Sequence, residues 1–250
     1  MIKNHSVGNG KPLICVPVTE QSGYAILAAA REIAKKGADM LEWRMDFYEN
    51  ILSWKETRQL LAEISEICKD MILLCTFRSK QQGGEKEIAK EDYENFLYQI
   101  AGSGYADVLD VEVRELFDAG DTISRIHSDS TYVIASQHYF SHTPETEAME
   151  EELSDMKKAG ADIAKLAVMP KKNTDVLRLL EATAKMKEKY PSYPLVTMAM
   201  GGMGMISRIS GQIFGSCVTF ATVGKASAPG QLPIEDVSRM IERISESMEE

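Results

Sequence analysis

The sequence predicts an α/β protein folded as a (β/α)8 TIM barrel, a single domain over residues 1–250, and three observations support that expectation. Short apolar runs alternate with longer amphipathic ones from end to end, as in repeated strand-helix units that build a parallel sheet. Eight of each fit into 250 residues, which is the size and period of such a barrel. No Pro/Ser-rich linker interrupts the chain. A doubly wound open sheet is the other architecture this alternation permits. Its dinucleotide fingerprint is missing after the first strand, where Pro17-Val18-Thr19-Glu20 stands.

Residues 1–12 contain Gly8-Asn9-Gly10, a hairpin-type turn, and predict a short N-terminal hairpin capping one end of the barrel. The first strand run begins near Leu13, and a helical pattern over 21–36 follows it, closed by Gly37 because glycine enters the left-handed conformation cheaply. The second run begins near Met40 and precedes a helical pattern over 52–69. Runs near Met71 and Asp107 precede helical patterns over 86–101 and 113–128. The fifth run begins near Tyr132. After it, Thr143-Pro144 and the acidic residues Glu145 and Glu147 open a helix over 144–159. Proline loses no hydrogen bond in a first turn, and acidic side chains there meet the positive end of the helix dipole. Gly160 closes that helix. The sixth run, near Ile163, leads to a helix over 173–189, the seventh, near Leu195, to one over 205–214 closed by Gly215, and the eighth, near Val218, to one over 233–248.

Composition narrows the function. At 44% hydrophobic and 26% charged the chain buries a substantial core, and its net charge of -10 opposes nonspecific nucleic-acid binding, which needs a basic surface. No zinc-ligand spacing is present, so no metal is expected. Cys15, Cys68, Cys75 and Cys217 are scattered and read as reduced core residues, consistent with a cytoplasmic protein. The polar start Met1-Ile2-Lys3-Asn4-His5 lacks a signal-peptide core, and no apolar stretch is long enough to cross a bilayer, so no membrane partner is expected.

Polar residues two apart on a strand share a face. Glu42, Arg44 and Asp46 do so in the second run, Thr76 and Arg78 in the third, Asp110 and Glu112 in the fourth, and Ser136 and His138 in the fifth. Each set lies toward the C-terminal end of its run, the active-site end of a barrel. The sixth run, Ile163-Ala164-Lys165-Leu166-Ala167-Val168, is apolar except for one lysine. An ammonium buried without a partner is costly, and the usual escape is to give up its proton, leaving an amine able to attack a carbonyl. Lys165 is therefore a candidate Schiff-base nucleophile; the alternative is a structural cation paired with Glu42 or Asp110. His138, one strand earlier, is a candidate acid/base. Two glycine-rich loops follow, 200–208 with Arg208 and 226–231, at positions where barrels often bind anions through backbone amides. Arg208, with Arg78 as a second cation, suits a carboxylate. The ligand these groups imply is a small anion bearing a carbonyl.

Several stretches taken in order resemble the type I 3-dehydroquinate dehydratases of the shikimate pathway, over nearly the whole chain. They are Glu42-Trp43-Arg44-Met45-Asp46, Thr76-Phe77-Arg78-Ser79 with Gly83-Gly84-Glu85, Asp110-Val111-Glu112, Ser136-Gln137-His138-Tyr139-Phe140 with Thr143-Pro144, Ala161 through Pro170, Ile206-Ser207-Arg208, and Ser227-Ala228-Pro229-Gly230-Gln231. The resemblance implies a barrel, a homodimer, no cofactor, and 3-dehydroquinate as substrate, dehydrated by syn elimination to 3-dehydroshikimate. It implies Lys165 as the imine-forming lysine, His138 as the general acid/base and Arg208 as the carboxylate anchor. Ser227 and Gln231 fall in the loop that closes over the substrate. Glu42, Arg44 and Arg78 line the site, Asp110 supports it, and Met198 and Met200 pack around the ring. One position departs from the pattern: well-studied members carry a glutamate where Gln82 stands, and glutamine orients an imidazole without stabilising its charged form. Asp110 and Glu112 are the candidates to supply that charge.

Two rival readings have discriminators. A class I aldolase or transaldolase also uses a barrel lysine, but lacks His138 one strand before it together with the loop from Ser227 to Gln231. A non-catalytic carboxylate-binding barrel predicts loss of Lys165 or His138, and both are present.

Overall fold

In the computed structural model, described for residues 1–224 and 228–248, eight strands lie parallel in the order β7-β6-β5-β4-β3-β2-β1-β8. They are β1 (Leu13–Val18), β2 (Met40–Arg44), β3 (Ile72–Thr76), β4 (Val108–Glu112), β5 (Tyr132–Tyr139), β6 (Ile163–Val168), β7 (Leu195–Ala199) and β8 (Val218–Phe220). Between β7 and β8 the sheet is joined by one parallel bridge, Leu195 to Ser216, and the Cys217 N–H donates to the Leu195 carbonyl at 2.7 Å. Beside it the Thr197 N–H donates to Ser216 Oγ at 3.0 Å, a side chain standing in for a ladder bond. The result is a nearly closed TIM-like barrel.

The helices are α1 (Gly23–Lys35), α2 (Trp54–Ile67), α3 (Lys90–Ala101), α4 (Ala119–Ser128), α5 (Thr146–Lys158), α6 (Asn173–Lys189), α7 (Met205–Ile209), α8 (Gly211–Phe214) and α9 (Ile234–Met248). Where the sequence predicts one helix over 205–214, the structure has α7 and α8, broken at Ser210, whose hydroxyl donates back to the Ile206 carbonyl at 2.7 Å. Helix α3 starts four residues later than its pattern because the Lys80 N–H donates to the Lys86 carbonyl, committing that stretch to a bridge with β3's exit. Helix α4 starts at Ala119, capped by Asp118, whose side chain accepts from the Asp121 N–H at 3.0 Å. The preceding residues Val113–Glu115 form a separate 3-10 turn.

Alternation along the strands builds the interior. In β6, Ala164, Leu166 and Val168 face the helices, while Ile163, Lys165 and Ala167 face inward. The inward layer nearest the N-terminal ends is apolar, with Leu13, Met40, Ile72, Val108, Ile134 and Ile163 packed together. The layer above it is polar, with Glu42, Thr76, Asp110, Ser136 and Lys165, all buried. The apolar floor makes water entry from below unfavourable and leaves the polar layer facing the loop end.

The N-terminus differs from its expectation. Gly8 and Gly10 do adopt left-handed backbone (φ 93° and 80°), but among the described residues no strand pair is built on that turn. Instead Ile2 and His5 exchange both backbone hydrogen bonds, at 3.1 and 3.0 Å, and Ile2 packs into the apolar floor. All four cysteines are free and buried, and burial pushes the thiols of Cys68 and Cys217 up to about 12. No helix among the described residues is long and apolar enough to cross a membrane.

Candidate active site

Lys165 stands at the centre of β6, 3% exposed, with Nζ 2.8 Å from Asp110 Oδ2 and 3.8 Å from Glu42 Oε1. The ring of Phe220 lies beneath it, 4.8 Å from Nζ to the centroid. The two carboxylates compensate the buried ammonium, so the pairing foreseen as the structural alternative is present. It does not remove the lysine from the site, because Lys165 also lines the central cavity.

Asp110 links the lysine to the rest of the polar layer. Its Oδ1 accepts from the Ser136 hydroxyl at 2.5 Å and from Arg78 Nη2 at 2.8 Å. Desolvation pushes its carboxyl up, but Arg78 and Lys165 outweigh that and hold it well below the usual carboxylate range. Arg78 Nη1 donates to Glu112 Oε1 at 2.7 Å and to Ser136 Oγ at 3.1 Å. The second cation expected for a ligand carboxylate is thus already bound to Asp110, Glu112 and Ser136, and it braces three neighbouring strands. Glu42 accepts from the Thr76 hydroxyl at 2.8 Å. Arg44 forms a two-pronged pair with Asp46, both contacts at 2.8 Å. Asp46 lies beyond β2 in the 3-10 turn Met45–Phe47, where it also accepts from the backbone of Arg78 and Glu85.

His138 is two residues beyond Ser136 on β5, and Ser136 is the register partner of Lys165, so imidazole and amine are diagonal neighbours on adjacent strands. Gln82, at the end of the 3-10 turn Lys80–Gln82, places Oε1 3.1 Å from both the backbone N–H and Nδ1 of His138. A backbone N–H can only donate, so the atom facing it is the amide oxygen, and the same oxygen requires Nδ1 to carry a proton. Nε2 keeps its lone pair. Burial, then Arg78 and Lys165, push the imidazole well below its ordinary value of 6.5, with Asp110 opposing and Arg44 adding to the downward push. Asp110 is therefore the carboxylate that acts on His138. Glu112 accepts from Arg78 and the Ser79 N–H, and burial raises its own carboxyl above the usual value.

Arg208, on α7, is buried without a carboxylate partner among the described residues. Its Nη2 donates to the Pro229 carbonyl at 3.3 Å, and its buried Nε has no partner among the described residues. Desolvation alone brings the guanidinium down to about 10. A buried cation with an open donor is poised for an anion. The loops around it interlock: the Gly201 N–H donates to the Pro229 carbonyl at 3.2 Å, and a Cβ on Gly230 would lie 2.4 Å from the Gly201 oxygen.

These groups surround one cavity of about 240 Å³. Glu42, Arg44, Arg78, Gln82, His138, Lys165, Met198, Met200, Arg208 and Gln231 all line it, and Asp110 lies behind Lys165. Ser227 falls outside the described residues. Phe220, Phe140 and Pro229 also line the cavity and had no assigned place. For Phe140 the signal was spacing, since it continues the inward face of Ser136 and His138. For Phe220 it was the inward alternation of β8 with Val218. The arrangement offers an amine for a carbonyl, a neutral imidazole for a proton and a guanidinium for a carboxylate.

The chain matches the type I 3-dehydroquinase family over residues 14–248. It is 39% identical over 251 residues to the 3-dehydroquinate dehydratase of Clostridioides difficile (strain 630), covering 99% of this chain and 97% of that one. It is 41% identical over 245 residues to the 3-dehydroquinate dehydratase of Klebsiella pneumoniae (strain 342), covering 98% of each. Among solved structures it resembles the type I 3-dehydroquinate dehydratase of Clostridium difficile with covalently modified comenic acid, with a TM-score of 0.94 and 39% identity, covering 98% of this chain and 97% of that one.

Proposed function

The chain belongs to the type I 3-dehydroquinase family, and from that premise we propose which of its residues carry out the dehydration of 3-dehydroquinate. The activity is that of a hydro-lyase of the shikimate pathway. The observation that supports the assignment best is that Lys165, His138 and Arg208 line the same cavity.

Lys165 first passes a proton to His138 Nε2, the neutral Nζ attacks the ketone, His138 gives the proton back to the oxygen, and loss of water from the resulting carbinolamine leaves a protonated imine. The imine is a stronger electron sink than the ketone, so the adjacent carbon gives up its proton more readily. His138 Nε2 takes that proton, the electrons pass into an enamine, and their return expels the hydroxide from the next carbon. His138 returns its proton to the departing oxygen, so the ring is unchanged over the cycle and elimination proceeds on one face, syn. Water then hydrolyses the imine and frees Lys165 with 3-dehydroshikimate. Arg208 holds the substrate carboxylate, and Gln231 and Ser227 belong to the loop over it. Met198, Met200 and Phe220 give the ring an apolar bed, while Glu42, Arg44, Arg78 and Asp110 fix the field around the two reacting groups.

Borohydride added with 3-dehydroquinate should reduce the imine and leave a stable adduct on Lys165, read by peptide mass spectrometry with loss of turnover. An unmodified Lys165 peptide under turnover would remove it from the mechanism.

The working form is a homodimer, a reading supported by apolar side chains that α7, α8 and α9 leave exposed, Met205, Ile206, Ile213 and Met240. The N-terminal segment, with Ile2 in the floor, caps the barrel end opposite the site. The four free cysteines support a cytoplasmic location.

A further inference from the structure

Phe140 follows His138 by two residues, just past the end of β5. The two rings are nearly parallel, 16° apart with centroids separated by 6.1 Å. The other end of the phenyl ring rests on Gly83, the residue after Gln82. Gly83 is left-handed (φ 82°), and a Cβ there would lie 2.3 Å from Phe140 Cζ and 2.7 Å from Cε2. The ring therefore spans the base couple, with the imidazole on one side and the backbone beside its glutamine partner on the other. It lines the cavity and is 45% exposed, a large apolar surface left facing water at the mouth of a polar site.

We propose that Phe140 is a positioning residue for the dehydration, a ring that clamps His138 against Gln82 and keeps bulk water off the imidazole. The inference rests on the reading of His138 as the base. The charged groups acting on that imidazole are Arg78 from just past the end of β3, Lys165 from β6 and Arg44 from β2, which oppose its protonation, and Asp110 from β4, which favours it. The partner from the turn after β3, Gln82, is uncharged. The net push against protonation depends on a poorly hydrated site, because water both solvates the imidazolium and screens the three cations. Without the ring, the imidazole would be free to tilt away from Gln82 Oε1 and to take up water on its exposed face.

The test is an NMR titration of the His138 imidazole in the ligand-free enzyme, assigned with His138→Asn, alongside the pH dependence of kcat/KM. Phe140→Ala should raise the titration midpoint by about one pH unit and carry the acid limb of kcat/KM up with it. Phe140→Leu, which keeps most of the cover, should stay near the wild-type midpoint. Gly83→Ala must displace the ring while leaving it in the chain, and should shift the midpoint in the same direction as Phe140→Ala. An unchanged midpoint in Phe140→Ala overturns the proposal. Near-normal turnover in His138→Asn would overturn the base assignment instead, and the titration would still decide whether the ring shields the imidazole.

Discussion

Gln82 gives His138 an oxygen but no charge, and this difference has a measurable consequence. In the proposed mechanism a neutral imidazole is the base, and burial with the nearby cations pushes its titration well below 6.5. The acid limb of kcat/KM should accordingly lie below the ordinary histidine range, with activity retained as pH falls through it. Gln82→Glu places a carboxylate against Nδ1, stabilises the imidazolium and raises the imidazole's titration, so the acid limb should move up by about one to two pH units. An unmoved limb would mean that the side chain at 82 does not tune the base. Arg208 differs in kind, as a buried cation waiting for its anion. Arg208→Ala should raise KM by about ten- to a hundredfold, the equivalent of losing a charge-assisted hydrogen bond, with a smaller change in kcat. Because the guanidinium lacks a carboxylate partner among the described residues, its removal should not lower Tm. A fall in Tm with unchanged KM would make Arg208 structural.

At the scale of elements, the strands begin within one residue of where their apolar runs begin, from Leu13 in β1 to Val218 in β8. Helix starts are less legible, because among the described residues the loop end of the barrel holds four one-turn 3-10 helices, Met45–Phe47, Lys80–Gln82, Val113–Glu115 and Gly202–Gly204. A single turn is too short for a periodic signal, and its residues merge with the helix pattern that follows. These turns nevertheless carry Asp46 and Gln82, so the less legible segments hold groups that brace the site. The turn after β3 allows no side chain at Gly84, where a Cβ would lie 1.8 Å from the Arg78 carbonyl oxygen. Gly84→Ala should displace Gln82 from His138, lowering kcat by about tenfold or more and costing about 1–3 kcal/mol by denaturant unfolding. Wild-type stability and rate together would show that the loop can give way freely.

For the whole molecule, the interior is layered: an apolar floor with Ile2 beneath it, a charged layer above, and the loops on top. Closure at the β7 to β8 seam brings Phe220 under Lys165 and sets Arg208, from the β7 side, against Pro229, from the β8 side. The exposed apolar side chains of α7 to α9 belong to this scale as well. Light scattering should give twice the 27.8 kDa of the chain, and Ile213→Glu should shift the mass toward the monomer. A wild-type mass of a single chain would refute the dimer.

The sequence by itself determined the eight strand-helix units, the inward face of each strand and the identity of the groups at the strand ends. Those follow from spacing along the chain, which fixes local periodicity and alternation. Only the tertiary structure decided which charges meet. Lys165 falls between Asp110 and Glu42, Arg78 is taken up by Asp110 and Glu112, and Arg208 is left open toward the cavity. Pairing across strands depends on register and on closure of the sheet, which are set by contacts between residues far apart in the chain and leave no mark in any local stretch of it.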